Sequence, residues 1–327
     1  MLKTARRILV TGAGGFIGSH LVESLVERGC RVRAMVRYTS GGGRGWLDDA
    51  PAAADVEFAA GDVRDHDTVR AAMTGCDVVF HLAALIGIPD SYVAPLAYVR
   101  TNVDGMLNVL EAARALGVAR VVVTSTSEVY GTAQYCPMDE AHPQHCQSPY
   151  AATKAGAEQL AISYHRSFGL PVAIARPFNV YGPRQSDRSL IPTIATQLLA
   201  GGPVRLGNVN PTRDFTYVVD TVRALAAVAG AERLVGEAAN IGSGGEISVG
   251  ALAELVGRVA GREATVARDD DRARPGTSEV ERLCCDSTKL RSLTGWCPAI
   301  PLEDGLRRTL EWIEPRLALF RIREYRV

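Results

Sequence analysis

The chain has 327 residues, 47% hydrophobic and 22% charged, enough to bury a large core in one big domain or two closely joined ones without staples. Its 36 basic and 36 acidic residues cancel, leaving no net field to draw in nucleic acid or an anionic membrane. The seven cysteines (Cys30, Cys76, Cys136, Cys146, Cys284, Cys285, Cys297) form no C-x-x-C pair, the opening MLKTARRILV runs straight into a strand, and no apolar run approaches the roughly 20 residues of a membrane helix, so the expectation is a cytoplasmic protein with neither nucleic acid nor membrane as partner.

Strands are expected at Arg7–Thr11, Arg31–Val36, Val56–Ala59, Val78–Leu82, Val121–Thr124 and Val172–Ala175, and helices at Phe16–Arg28, Asp67–Met73, Tyr98–Leu116 and Tyr150–Phe168. The strands are apolar on both sides, as a sheet covered on both faces requires. This alternation predicts an α/β fold, a doubly wound parallel sheet with helices on both faces. After Pro177 the pattern loosens into helices at Leu190–Ala200, Asp220–Ala229 and Val249–Ala260, an extended piece at Arg213–Tyr217 and a charged stretch to Pro275. These pieces are too few and irregular for a second sheet domain. The expected division is residues 1–178 as the sheet domain, with 214–241 returning to it, and 179–327 as a smaller capping region. The glycine-rich patch Gly41 to Gly45 is expected to be a mobile loop.

In ILVTGAGGFIGSHLVESLVERG a strand, a glycine turn and an amphipathic helix follow one another in the first βα unit. Gly12, Gly15 and Gly18 allow a tight turn, close approach to a pyrophosphate and packing of helix on sheet, while the helix N-terminus offers free amides to phosphates. A Rossmann dinucleotide site is therefore predicted here, with Phe16 and Ile17 in the turn. The second strand ends in Met35, Val36, Arg37, Tyr38, with no carboxylate to hold the adenosine ribose. A guanidinium at Arg37 suits a 2′-phosphate, which favours NADP over the alternative NAD. Asp62 and Val63 after the third strand, Leu82, Ala83 and Ala84 after the fourth, Thr124 on the fifth and Pro177 after the sixth complete the expected cofactor shell.

Strand five runs VVVTSTSEVYG and puts Ser125, Thr126, Ser127 and Glu128 at its carboxyl end, where open α/β sheets hold ligands. Downstream, Tyr150 and Lys154 in SPYAATKAGAEQL are four apart and share one helix face. A tyrosine of ordinary pKa about 10 is a poor base at neutral pH, but neighbouring positive charge favours its phenolate. It can then accept a proton from a sugar hydroxyl.

TGAGGFIG, HLAA, the Ser/Thr of strand five, YxxxK, RPFNVYGPR and RDFTYVVD together resemble the extended short-chain dehydrogenase/reductase family of NAD-dependent nucleotide-sugar epimerases and dehydratases. Within it, STSEVYG is similar to the Thr-Asp-Glu or Thr-Ser-Glu motif of 4,6-dehydratases. VRYTS, GWLDD, HLAALIGIPDSY and RPGTSEVERL look most like the retaining N-acetylglucosamine-nucleotide 4,6-dehydratases of the legionaminic-acid type, with GDP-mannose 4,6-dehydratases second. The resemblance implies a UDP- or GDP-sugar substrate, a tightly bound and recycled cofactor, and catalysis by Thr126, Ser127, Glu128, Tyr150 and Lys154. Tyr150 would serve oxidation at C4, and Glu128 would remove the C5 proton before the C6 hydroxyl leaves as water. Ser127 stands where some relatives carry an acidic aspartate and is too weak an acid for that role, so Glu128 is expected to act as both base and acid.

The resemblance also implies substrate binding by Asn102, Asn179, Arg184, Arg213, Arg274 and Glu279, and a homodimer built through a four-helix bundle from Tyr98–Leu116 and Tyr150–Phe168. Asn102 has a second reading as a helix-bend residue. No metal is expected, because Cys136, His142, His145 and Cys146 are spaced awkwardly for tetrahedral closure. His81 reads as a hydrogen-bonded core residue. The competing functions are an NDP-sugar 4-epimerase or 5,6-dehydratase built from the same residues, a UDP-glucuronate decarboxylase, whose usual YDEGK is YAATK here, and a dinucleotide-sensing protein without catalysis.

Overall fold

The computed structural model describes residues 7–272 and 275–320. Six βα-type strands, β1 (Arg7–Thr11), β2 (Arg31–Val36), β3 (Val56–Ala60), β4 (Val78–His81), β5 (Arg120–Thr124) and β6 (Val172–Pro177), lie within two residues of the expected bounds. All pair in parallel in the order β6-β5-β4-β1-β2-β3, with Ile8 of β1 opposite both Val32 of β2 and Val78 of β4. The direction of winding reverses between β1 and β4, which opens a crevice at the carboxyl ends of these two strands.

Alternation along each strand builds two cores. Ile8, Val10, Phe80 and Val122 face one side of the sheet, while Leu9, Val79, Val121 and Val123 face the other. Helix α1 (Phe16–Glu27) covers the first side with Leu21, Val22 and Leu25. The second side takes α2 (His66–Met73), α5 (Gly105–Leu116) and α6 (Pro149–Phe168), while the short α3 (Ile88–Val93) and α4 (Pro95–Tyr98) pack on α6 through Ile88, Tyr98 and Tyr150. Ser148 caps α6 by accepting from the Ala151 N–H at 3.1 Å, Pro149 opens it, and Gly169 ends it in the left-handed region. Beneath α6, Arg176 of β6 forks onto Glu158 at 2.9 and 2.7 Å in the buried interior.

Where one continuous helix is expected over Tyr98–Leu116, the chain instead widens into a π-helical turn at Val99–Asp104 between α4 and α5. The buried Asn102 side chain sits in that turn and binds the backbone of Leu85 through its N–H and its carbonyl, at 2.9 and 3.0 Å.

Beyond β6 come β7 (Asn179–Tyr181), α7 (Leu190–Leu199), β8 (Val204–Leu206), β9 (Thr212–Arg213), β10 (Phe215–Tyr217) and α8 (Val218–Gly230). Then β11 (Ala238–Ile241) pairs with β6 as a seventh parallel strand of the main sheet, which the six-strand reading lacks. Its four residues AANI are too short and small to show a period of their own. The remainder holds β12 (Ile247–Ser248), α9 (Val249–Val259), β13 (Val266–Arg268), α10 (Thr288–Thr294) and α11 (Leu302–Ile313). The extra strands pair only in twos, β7 with β10, β9 with β12 and β8 with β13, so no second large sheet forms among the described residues.

Candidate active site

The carboxyl ends of β1 to β6 and the smaller region enclose one cavity of about 1250 Å³. At its floor the glycine turn is held by backbone crowding. Gly12 has φ +67, and a Cβ there would stand 2.8 Å from the Ala83 amide nitrogen, while a Cβ on Gly18 would overlap the Gly12 carbonyl. The α1 N-terminus behind it has no side-chain cap, so its amides face the cavity floor unclaimed by a side chain. Gly12, Gly15, Phe16, Ile17 and Gly18 line the cavity, as do Arg37, Asp62, Val63, Leu82, Ala83, Ala84, Thr124 and Pro177. Asp62 forms an ion pair with Arg64 at 2.6 Å, which holds its carboxyl below the usual carboxylate range.

The Thr124 and Ser125 hydroxyls are buried on this wall with no hydrogen-bond partner among the described residues. Buried polar atoms of this kind are costly without a partner, and a ligand with amide or hydroxyl groups satisfies them. Orphaned hydroxyls, a glycine cradle and free helix amides together fit a dinucleotide.

Tyr150 and Lys154 stand on the first turns of α6, both buried and both on the cavity wall. The Lys154 ammonium donates to the Thr124 carbonyl at 2.6 Å. Burial pulls its pKa down to about 8, against the favourable charge of Glu158. Burial raises the Tyr150 phenol, opposed by a hydrogen bond with Thr126. The Tyr150 ring meets Tyr98 edge-on, with centroids 6.3 Å apart. Below the pair, the Ala83 N–H donates to the Thr11 hydroxyl at 3.2 Å, and Thr11 lies 2.8 Å from His81 Nδ1. Burial and the nearby Lys154 charge drop the His81 pKa to about 3, so the ring is neutral at physiological pH.

At the end of β5, Thr126 caps a single helical turn, accepting from the Glu128 N–H at 3.2 Å. Thr126 and the half-buried Glu128 both line the cavity, and the Glu128 carboxylate has no partner among the described residues. Ser127 does not line it. The residue is 3% exposed and lies between two neighbours that do line it.

On the substrate side, Asn179, Arg184, Arg213 and Glu279 line the cavity, while Arg274 lies outside the described residues. The Asn179 side-chain nitrogen is buried and unpartnered among the described residues, a donor ready for a ligand acceptor. Arg213 pairs with Glu279 at 3.1 Å. Arg184 is committed elsewhere. Its guanidinium forks onto Glu23 of α1 at 2.7 and 2.9 Å, and its backbone takes φ 71, so it braces the turn after β7 against α1 instead of offering its fork to a ligand. Asn102 is also a correction: it is 2% exposed, does not line the cavity, and divides its bonds between Leu85 and the Thr153 hydroxyl. It therefore ties the Ala83–Leu85 wall to α6.

Several cavity residues have no expected site role, among them Thr39, Arg44 and Trp46, the Asp90–Arg188 ion pair at 2.7 Å, and Gln185. Thr39, Trp46 and Asp90 fall within VRYTS, GWLDD and HLAALIGIPDSY, which carry the family resemblance without assigning these side chains a role, and Arg44, Gln185 and Arg188 fall in no motif. His142, in the cysteine and histidine loop, has both ring nitrogens engaged, Nε2 by the Gln134 N–H at 2.9 Å and Nδ1 by the Pro143 carbonyl at 2.8 Å.

Residues 9–309 match the family model described as GDP-mannose 4,6 dehydratase. The chain belongs to this family. It is 35% identical over 315 residues to a dTDP-glucose 4,6-dehydratase of an Actinoplanes species, covering 94% of this chain and 97% of the relative. It is 36% identical over 313 residues to a UDP-glucose 4-epimerase of Mycolicibacterium smegmatis, covering 94% and 98%. The crystal structure of a Streptomyces venezuelae dTDP-glucose 4,6-dehydratase with NAD bound superposes with a TM-score of 0.89 at 33% identity, covering 96% of this chain and 98% of that one. Membership places the chain among the NAD-dependent epimerase and dehydratase enzymes, with the Rossmann-like fold they share. No helix among the described residues is long and apolar enough to cross a membrane.

Proposed function

We propose that the protein is a nucleotide-sugar 4,6-dehydratase acting on an NDP-hexose, UDP- or GDP-N-acetylglucosamine, to give the 4-keto-6-deoxy sugar. The observation that carries this reading is Glu128, a half-buried carboxylate without a partner among the described residues, on the same cavity wall as Thr126 and Tyr150. A 4-epimerase needs no base at C5, whereas dehydration across C5 and C6 does.

A dinucleotide held along Gly12, Gly15 and Gly18 would supply reversible hydride chemistry between C4 and C6 of the sugar. Tyr150 removes the proton of the C4 hydroxyl, with Thr126 orienting that hydroxyl and Lys154 favouring the phenolate. Once C4 is a ketone the C5 proton is acidic, and Glu128 takes it. The same carboxyl, now protonated, gives its proton to the departing C6 hydroxyl, and once hydride is back on C6 a solvent-derived proton is added at C5, balancing the C4 hydroxyl proton that Tyr150 returns to solvent. This reading gives Ser127 no part, since it is not among the residues that line the cavity. Asn179, Arg213 and Glu279, with Arg274, hold the nucleotide diphosphate and ribose.

Arg37 at the end of β2, exposed on the cavity rim, supports NADP as the preferred dinucleotide. Val93, Leu96, Val99 and Leu107 leave an exposed apolar strip along α3 to α5, which supports a homodimer through these helices and α6. Sedimentation of a monomer at micromolar concentration contradicts that assembly. The activity is tested by incubation with UDP-GlcNAc, GDP-GlcNAc, UDP-glucose and GDP-mannose, read by mass spectrometry. Loss of one water supports the dehydratase, and an unchanged mass with inversion at C4 assigns the 4-epimerase instead.

A further inference from the structure

The segment from Arg37 to Leu47, between β2 and β3, walls the cavity beside the glycine turn with Arg37, Thr39, Arg44 and Trp46. Its glycines, Gly41 to Gly43, should leave it loose, since glycine-rich backbone loses most entropy on ordering. Instead it is fastened. Gly45, at φ +65, sits so close to Gly14 that a Cβ on it would overlap the Gly14 carbonyl. The Trp46 N–H donates to that carbonyl at 3.0 Å. The Arg44 guanidinium lies 4.0 Å over the Phe58 ring of β3, and the Asp48 carboxylate accepts from the Arg44 N–H at 3.0 Å.

The remaining attachment comes from the far end of the chain. The Trp46 ring meets Trp312 edge-on, with centroids 5.3 Å apart at 73°. Trp312 lies near the end of α11 and is itself packed by Phe320 at 6.2 Å and by the Arg316 guanidinium at 5.0 Å. The opposite end of α11 is anchored in the smaller region, where the Tyr181 hydroxyl donates to the Leu302 carbonyl at 3.0 Å. The C-terminal helix thus bears on the cofactor wall through one pair of tryptophans.

We infer that Trp312 is a positioning residue for the dinucleotide: by holding Trp46 it keeps the Arg37–Leu47 segment closed beside the glycine turn and slows cofactor release. The inference rests on the reading that the dinucleotide lies along Gly12 to Gly18. A cofactor that ends each cycle in the form in which it began has no need to leave, so a fastened wall suits the proposed reaction. Trp312 does not touch the reacting atoms, and its effect is on affinity and release rather than on turnover.

The test compares wild type with W312A and W312F, measuring dinucleotide retained through desalting, its Kd by titration, and kcat at saturating cofactor. An edge-on aromatic pair predicts roughly two- to tenfold weaker binding and faster release for W312A, with kcat within about twofold of wild type and recovery in W312F. Tryptophan emission gives a second readout: its fractional change with added dinucleotide should reach half at the wild-type concentration in W312F but at a higher concentration in W312A. If W312A does not fold, W312L, which keeps apolar bulk without the aromatic edge, carries the same comparison. Unchanged Kd and release in the folded variant overturn the tryptophan link alone, whereas failure of the wild type to bind any dinucleotide overturns the underlying site.

Discussion

The ammonium of Lys154 is fastened to the carbonyl of Thr124 at 2.6 Å, which ties helix α6 to the end of the central strand β5. Burial lowers the lysine pKa from 10.5 to about 8. Between about 8 and 10.5 the unfolded chain therefore holds a proton that the folded, cofactor-free chain has released, and stability rises with pH across that window. Below about 8 both states hold it and the slope vanishes. K154M should flatten the rise in denaturant midpoint between pH 8 and 10, and it should also depress turnover because Tyr150 loses its cation. A slope equal to that of wild type contradicts this account of the lysine.

Glu128 can be separated from the redox pair. In E128Q the C4 hydroxyl should still be oxidised reversibly, but water loss should fall by about 10²- to 10⁴-fold, the usual worth of a positioned acid or base. In deuterated water the wild-type product should gain deuterium at C5, and sugar nucleotide recovered from E128Q should show none. Deuterium at C5 in the variant would falsify the base assignment.

Y150F keeps the ring that packs on Tyr98 and removes only the phenolic oxygen. Turnover should drop by about 10²- to 10⁴-fold while the bound dinucleotide and the melting curve stay near those of wild type. Undiminished turnover removes Tyr150 from the proton transfer.

Arg37 bears on the choice of dinucleotide. R37A loses a charge-assisted bond to a 2′-phosphate, about 1.5–3 kcal/mol, so its Kd for NADP should rise roughly tenfold to a hundredfold while that for NAD changes little. Equal changes for both cofactors point to NAD as the natural partner and to Arg37 as a surface charge.

Local rules carried much of the reading. The bounds of β1 and β2, the glycine turn, and Tyr150 with Lys154 on one helix face follow from periods of 2 and 3.6 and from the conformational freedom of glycine, all of which act over a few residues. The π-helical turn at Val99–Asp104 escaped those rules because its cause, Asn102 bonding to Leu85, is tertiary. Likewise β11 is a strand because β6 offers it an edge.

By itself, then, the sequence determined the doubly wound sheet, the place of the dinucleotide turn and the residue types at the end of β5. Tertiary structure decided which of those residues reach the cavity. Thr126 and Glu128, on the turn that Thr126 caps, line it, and Ser127 between them does not. It also braced Arg184 on Glu23, 161 residues away, and set Trp312 against Trp46. Such pairings depend on where packed elements bring distant side chains together, and no periodicity within a short window encodes that distance.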